Sequence, residues 1–258
     1  MRRELRAEWT KLRTVAGPGG LLLATVALTV AVSAGASAAV TCPSAGCDQD
    51  AARISLLGIQ VGQAVVAMLA VLAISGEYGT GMIRTTLTAM PRRTTFLAAK
   101  AALITGLTLA AGTVAVLASV LAGRLILPGN GFTAAHGYPP LSLTDGPTLR
   151  AAAGSVLYLA LIALLSLGIA TALRDSAAAI GGVLGLLYLF PVVIFMVPDL
   201  DWKRHLWQIS PMNAGLAIQA TVDLPHLPLS PWAGLGVLAA WAAAALLGGG
   251  LLLRLRDA

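Results

Sequence analysis

Ser75-Gly-Glu-Tyr-Gly-Thr-Gly-Met-Ile-Arg-Thr-Thr-Leu-Thr-Ala-Met-Pro-Arg-Arg-Thr-Thr-Phe-Leu-Ala-Ala-Lys100 is the one long run of the chain that is both basic and patterned. Apolar stretches long enough to cross a bilayer lie on both sides of it. A connector so placed sits at a membrane surface and makes its flanks consecutive spans. Gly76, Gly79 and Gly81 allow the backbone angles that end a helix and turn the chain. Beyond them Met82, Ile83, Leu87 and Met90 recur at helical spacing, which predicts a short amphipathic helix. Pro91 stops it, because proline disfavours helix in the preceding residue and lacks the donor that continuation needs. Arg92 and Arg93 then mark the boundary between water and membrane, and Lys100 lies near the start of the next span.

The glycines of this loop imitate nucleotide-binding motifs without their chemistry. Gly76-Glu-Tyr-Gly-Thr-Gly81 has the spacing of a phosphate loop, but Met82 and Ile83 stand where Lys and Ser/Thr would neutralise phosphate and hold magnesium. Gly79-Thr-Gly81 fails as a dinucleotide fingerprint, since Arg84 replaces the third glycine and no buried strand precedes it.

Outward from the loop, the 258 residues are 57% hydrophobic and 11% charged, with a mean hydropathy of +0.84. A soluble domain carries about a quarter of its residues charged, so the chain reads as one all-α transmembrane domain over residues 1–258. Six apolar segments approach the roughly 20 residues that a span needs: 19–40, 54–74, 97–121, 151–173, 177–197 and 232–253. The formal charge of +6 could suggest nucleic acid, but the basic residues occupy short loops and termini rather than a folded face. With the N-terminus inside, twelve of the seventeen Lys and Arg residues fall in internal segments. The positive-inside rule therefore puts both termini and the 76–100 loop in the cytoplasm.

The first sixteen residues carry Leu5, Trp9, Leu12 and Ala16 on one helical stripe, with Arg2, Arg3, Arg6, Lys11 and Arg13 elsewhere. This is the pattern of an interfacial helix, apolar side in the acyl boundary and basic side toward anionic headgroups. Ala36-Ser-Ala38 resembles a signal-peptidase site, but the amphipathic start with Glu4 and Glu8 favours a retained segment.

Among the external connections, residues 123–150 read as irregular, with Pro128-Gly-Asn-Gly131 and Tyr138-Pro-Pro140. Ser210-Pro211 is a cap followed by a first-turn proline, which predicts a helix to about Val222. That helix is too short to span; with Trp202 and Trp207 just before it, it should lie on or dip into the outer leaflet. Cys42 and Cys47 are the only thiols. In an oxidising compartment they can form a small disulfide, or they can remain free; a metal site would need further ligands.

Within the spans, Gly58-xxx-Gly62 and Gly181-xxx-Gly185 permit close helix approach. Gln60 and Gln63, one turn apart, are the strongest polar features at membrane depth. They serve either interhelical hydrogen bonding or a wall facing a transported substrate. No Asp, Glu, Lys or His lies in the middle of a span, so the parts of a proton or sodium relay are missing. Motifs for ATP hydrolysis and for intramembrane proteolysis are missing as well. An active transporter built this way takes its energy from another chain, through a cytoplasmic surface.

At this point the motifs resemble a known family. Glu77-Tyr-Gly-Thr-Gly-Met-Ile-Arg-Thr-Thr-Leu87, followed by Pro91-Arg-Arg93 and Lys100, is similar to the loop after the second span of ABC-2 type ABC transporter permeases, the membrane subunits of bacterial exporters. Glu8-Trp-Thr-Lys-Leu-Arg-Thr14 and Ile209-Ser-Pro-Met-Asn-Ala-Gly215 resemble the family too. The resemblance implies a coupling helix that docks on a separate ATPase subunit through Glu77, Tyr78, Gly81, Met82, Ile83, Arg84, Leu87, Arg92 and Arg93. It implies an interfacial helix bearing Glu8, Trp9, Lys11, Leu12 and Arg13, and a re-entrant or interfacial helix before the last span. It also implies a second permease subunit, identical or related, in a bacterial cell membrane. The expected partners are ABC ATPases, that second subunit and membrane lipid, with no nucleic acid, no cofactor and no enzymatic activity on this chain. An apolar or amphipathic cargo suits spans rich in Ala, Leu, Val and Gly. The alternative function is a non-transporting membrane anchor or immunity-type protein that docks a cytoplasmic partner.

Overall fold

The structure, a computed structural model, describes residues 16–44, 47–79 and 93–256. Among the described residues there is no strand, and six helices are long and apolar enough to span a membrane. In chain order they are α1 (Ala16–Ala39), α3 (Ile59–Gly79), α4 (Arg93–Ile126), α5 (Gly146–Leu173), the pair α6 (Ser176–Leu184) and α7 (Phe190–Phe195) joined by a π turn, and α10 (Pro231–Arg256). Three short helices decorate the end where α1 finishes: α2 (Ala51–Ser55), α8 (Leu200–Ile209) and α9 (Pro211–Leu216). That end carries the Cys42–Cys47 disulfide and is called the disulfide end; the 80–92 connector leaves from the other, the loop end.

The bundle is centred on α5 and α3, of whose most apolar windows 61% is buried, against 22–28% for the other four spans. Tyr158, Leu159, Ile162, Leu165 and Leu167 of α5 meet Val66, Ala70 and Ile74 of α3 in one core. Lipid is as apolar as these side chains, so close packing and hydrogen bonds, not water exclusion, must hold the spans together. Small residues supply the closeness. Thr25, Thr29, Ser33 and Ser37 form a fully buried stripe on α1, and against it a Cβ on Gly58 would stand 1.9 Å from the Thr29 carbonyl oxygen. A Cβ on Gly249 of α10 would stand 2.5 Å from the Gly168 carbonyl oxygen of α5.

Helix boundaries depart from the sequence reading in four places. The second span is not one rod from residue 54: α2 ends at Ser55, and three-residue backbone bonds through Leu56–Gly58 lead into α3. The Gly58 amide is drawn aside to Ser33 Oγ, 3.0 Å away. At its other end α3 runs through Gly76 to Gly79, so Gly76 does not end the helix. The third span is a 34-residue helix, about 51 Å long at 1.5 Å per residue and thus longer than a hydrocarbon core of about 30 Å. No breaker interrupts it before Pro128, and Arg124 belongs to its last turn. The irregular connection shrinks accordingly to residues 127–145, because Asp145 caps α5 early by accepting from the Thr148 amide, a contact reinforced by the Thr148 hydroxyl at 3.0 Å.

Fourth, the helix opened by Ser210 and Pro211 does not reach Val222. It continues past Leu216 only as a 3-10 turn to Gln219, because the Thr221 and Val222 amides donate to Asp50 instead of to the helix. Rather than lying on the surface, it is buried between α5 and α10, with Met212, Ala214, Leu216 and Ile218 in the interior. Trp202 and Trp207 belong to the separate helix α8, capped by Asp199 through the Asp201 and Trp202 amides. Trp202 is exposed, so α8 presents the interfacial face that the sequence suggested for its neighbour.

Candidate functional site

A series of polar contacts descends from the disulfide end along α5. At the top, Asp50 does two jobs. One oxygen caps α2 by accepting from the Arg53 amide at 3.0 Å, and the carboxylate also takes the Thr221 amide, the Thr221 hydroxyl at 2.7 Å and the Val222 amide at 3.3 Å. Arg150, in the first turns of α5, donates to the Ala220 carbonyl at 2.6 Å. Both contacts fasten the chain where it leaves the re-entrant turn. Charge-assisted hydrogen bonds of this kind are the stronger ones.

One turn lower, Gln219 Nε2 donates to Ser155 Oγ at 3.0 Å, with both side chains buried. Below that, the Tyr158 hydroxyl donates to Gln63 Oε1 on α3. From Arg150 to Tyr158 the series covers about 12 Å of helix. A parallel contact comes from the π turn Gly185–Leu189, where Tyr188 donates to the Gln60 carbonyl. Pro191 explains the π turn: it has no amide for the Leu187 carbonyl, and its ring crowds that oxygen, so the helix widens ahead of it. The widened turn is what lets Tyr188 reach α3.

Between α2, the start of α3 and the 220–227 segment lies a cleft of about 460 Å³. Asp48, Asp50, Arg53, Gln60, Asp223 and His226 supply its polar lining, and Leu57, Val222 and Leu227 supply apolar wall. Mixed charge beside apolar surface suits an amphipathic molecule better than a purely apolar one. No group of three or more metal-ligating side chains exists among the described residues.

The residues singled out in the sequence divide among these places. Gln60 lines the cleft, whereas Gln63, one turn on, is fully buried against Tyr158 and braces α3 to α5. Cys42 and Cys47 are paired, and the Cys42 amide donates to the Asn130 carbonyl at 2.8 Å. Asn130 Nδ2 in turn donates to the Ser37 carbonyl at 2.8 Å, so the disulfide loop, α1 and the end of α4 form one cap. Lys100 is buried on α4, donates to the Ala73 carbonyl of α3 at 2.8 Å and lies over the Phe96 ring. Glu77 and Tyr78 fall in the last turn of α3 and Arg93 opens α4. Gly81, Met82, Ile83, Arg84, Leu87 and Arg92 of the expected coupling helix lie outside the described residues, as do Glu8, Trp9, Lys11, Leu12 and Arg13.

Asp50, Arg150 and Ser155 were not singled out in the sequence. Asp50 carries a local signal, an acceptor just ahead of a helix, but its partners are 171 and 172 residues away. Compared with known protein families the chain matches none, and no characterised protein matches it significantly.

Proposed function

We propose that this chain is the membrane subunit of an ABC-2 type exporter, moving an apolar or amphipathic substrate outward with energy from a separate ATPase. The observation that carries the reading is the short helix α9, buried between α5 and α10 ahead of the last span and fastened by Asp50, Arg150 and Gln219. A short re-entrant or interfacial helix is what the sequence resemblance implies at this position. Two copies, or one copy and a relative, enclose the pathway. The disulfide end faces outward and the loop end faces the cytoplasm, as the distribution of Lys and Arg favours.

ATP closes the ATPase pair and pushes the coupling helix expected at residues 82–90, and the first, second and fifth spans tilt between inward- and outward-open states, a population shift between two arrangements. The polar series along α5 keeps α3, α5 and the re-entrant helix moving as one body. The amphipathic cleft beside Gln60 is the place where cargo leaves.

Co-purification with an ATPase whose hydrolysis depends on this chain tests the reading. Leu87→Asp should leave membrane levels unchanged while ATPase association and transport fall, and Glu77→Gln should lower transport more than expression. Normal transport by both variants with the ATPase still bound would remove the loop from the mechanism. A protein that binds a cytoplasmic partner yet moves no substrate would be the membrane-anchor alternative.

A further inference from the structure

The cleft between α2, the start of α3 and the 220–227 segment contains two opposite charges that the fold leaves unused. Asp50 already accepts from the Arg53, Thr221 and Val222 amides and from the Thr221 hydroxyl, and Asp223 stands 3.6 Å from His226. The Asp48 carboxylate and the Arg53 guanidinium, by contrast, make no hydrogen bond or ion pair with a described residue or with each other. We propose that this cleft binds the headgroup of a zwitterionic phospholipid with a primary ammonium, a phosphatidylethanolamine, its phosphate on Arg53 and its ammonium on Asp48.

Charge, lining chemistry and continuity each bear on the occupant. A purely anionic or purely cationic amphiphile would be attracted by one of the two free charges and repelled by the other, whereas a zwitterion satisfies both. The lining has no Trp, Tyr or Phe, so a quaternary ammonium finds no aromatic face to rest on. A primary ammonium instead brings three N–H donors, and the Asp48 carboxylate accepts them. The acyl chains have a path as well. One turn beyond Arg53, the exposed Leu57 begins a stripe that continues through Val61, Ala64, Met68 and Leu72 down α3, at the spacing of one helix face. The rest of this span is largely buried, so the stripe is a narrow apolar track that runs from the cleft along the membrane-crossing helix. Calling the lipid cargo rests on the exporter reading; its binding does not, because neither ATP nor a partner chain enters the contact.

The test uses the full chain in nanodiscs of equal parts phosphatidylethanolamine, phosphatidylcholine and phosphatidylglycerol, with the lipid retained after transfer to detergent counted by native mass spectrometry. The wild type should keep one phosphatidylethanolamine per chain, enriched over the other two lipids. Arg53→Gln removes the phosphate contact and should lower that occupancy about fivefold, the most that an exposed ion pair contributes. Asp48→Asn removes only the ammonium contact and should bring phosphatidylethanolamine down to the level of phosphatidylcholine. Both side chains are exposed, and Arg53 meets the Asp50 cap through its amide alone, so both variants should fold. Glycerophosphoethanolamine, the same headgroup without acyl chains, should displace the bound lipid far less effectively than lysophosphatidylethanolamine does. Retention of phosphatidylethanolamine at no more than its bilayer share, undiminished occupancy in Arg53→Gln, a preference over phosphatidylcholine that survives Asp48→Asn, or equal displacement by the two competitors would overturn the proposal. Selective retention by a chain that moves no phosphatidylethanolamine when its ATPase is supplied with ATP would uphold the site and remove the cargo role instead.

Discussion

Gly58-xxx-Gly62 and Gly181-xxx-Gly185 have the same spacing and opposite surroundings. The first lies flush on α1, where Gly58 meets the Thr29 carbonyl and Ser33 hydroxyl and Gly62 meets the Thr29 hydroxyl. Around the second, an added Cβ at either glycine would meet nothing within 4 Å, and Gly181 is exposed. The motif removes bulk from one helix only; closeness needs a matching partner, and α1 supplies it as Thr25, Thr29, Ser33 and Ser37, one small hydroxyl residue every fourth position. In lipid, where burial between helices brings little free energy, that matching carries the association.

The first way to break the comparison is also the most damaging. Gly58→Leu forces atoms into the Thr29 carbonyl, which is backbone and cannot rotate away, so the seam must open. Overpacking of this kind costs about 3 kcal/mol or more, and the variant should show a large fall in the folded fraction by size-exclusion chromatography in detergent. Gly62 offers a control within the same motif. There the nearest atom is the side-chain Thr29 Oγ1, 2.2 Å from an added Cβ. Gly62→Ala should therefore be repaired by Thr29→Ala, and Gly58→Ala should not. A double-mutant cycle in thermal stability reads the coupling; equal rescue of both would mean that the seam adapts as a whole rather than atom by atom.

Asp50→Ala comes next, since it removes the α2 cap and releases Thr221 and Val222 together. Hydrogen bonds to a charged group are worth about 1.5–3 kcal/mol each before the chain relaxes. Water can replace part of that at this half-buried site. The expected result is a lower melting temperature, together with protease sensitivity confined to the 220–230 segment. Uniform sensitivity along the chain would mean that Asp50 supports the whole bundle rather than the re-entrant end.

Smaller again is Tyr158→Phe, which leaves Gln63 Oε1 without its donor in the middle of the bundle. Interhelical hydrogen bonds inside membranes average about 0.6 kcal/mol and reach about 1.7, so a drop of a few degrees in melting temperature is expected. A loss as large as that of Gly58→Leu would reverse the ranking of shape over polarity at the centre of the bundle.

That ranking also explains which parts of the fold could be read in the chain. The spans were legible because bilayer thickness fixes a length of apolar sequence, and the cap of α9 because Ser210-Pro211 is a local signal. The end of α9 was not legible: it depends on Asp50, whose role as an N-cap is local but whose grip on Thr221 exists only after folding. Helix α8 left a faint trace, with Asp199 ahead of Trp202, Leu206 and Ile209, masked by the longer apolar run before it. For the site, Gln60 and Gln63 were found as polar residues in apolar surroundings, but their division into cleft lining and internal brace follows from which faces α5 and the π turn cover. Sequence spacing puts both on one side of a helix and is silent on what packs there.

Gly181→Leu is the smallest perturbation and the sharpest test of the comparison. No described atom stands within 4 Å of the new Cβ, and alanine or leucine is the better helix former by about 1 kcal/mol. The melting temperature of the detergent-isolated protomer should hold or rise slightly, while the same change at Gly58 is destructive. Because no described residue stands within 4 Å of a Cβ added here, a loss of assembly or transport with an unchanged melt would point to a second chain. Measuring protomer stability and oligomeric state in one sample separates the two: an unchanged melt with a smaller particle assigns the face to a partner helix, and an unchanged melt with an unchanged particle leaves the pair facing lipid. A destabilised protomer would contradict the open space around Gly181 and, with it, the contrast between the two motifs.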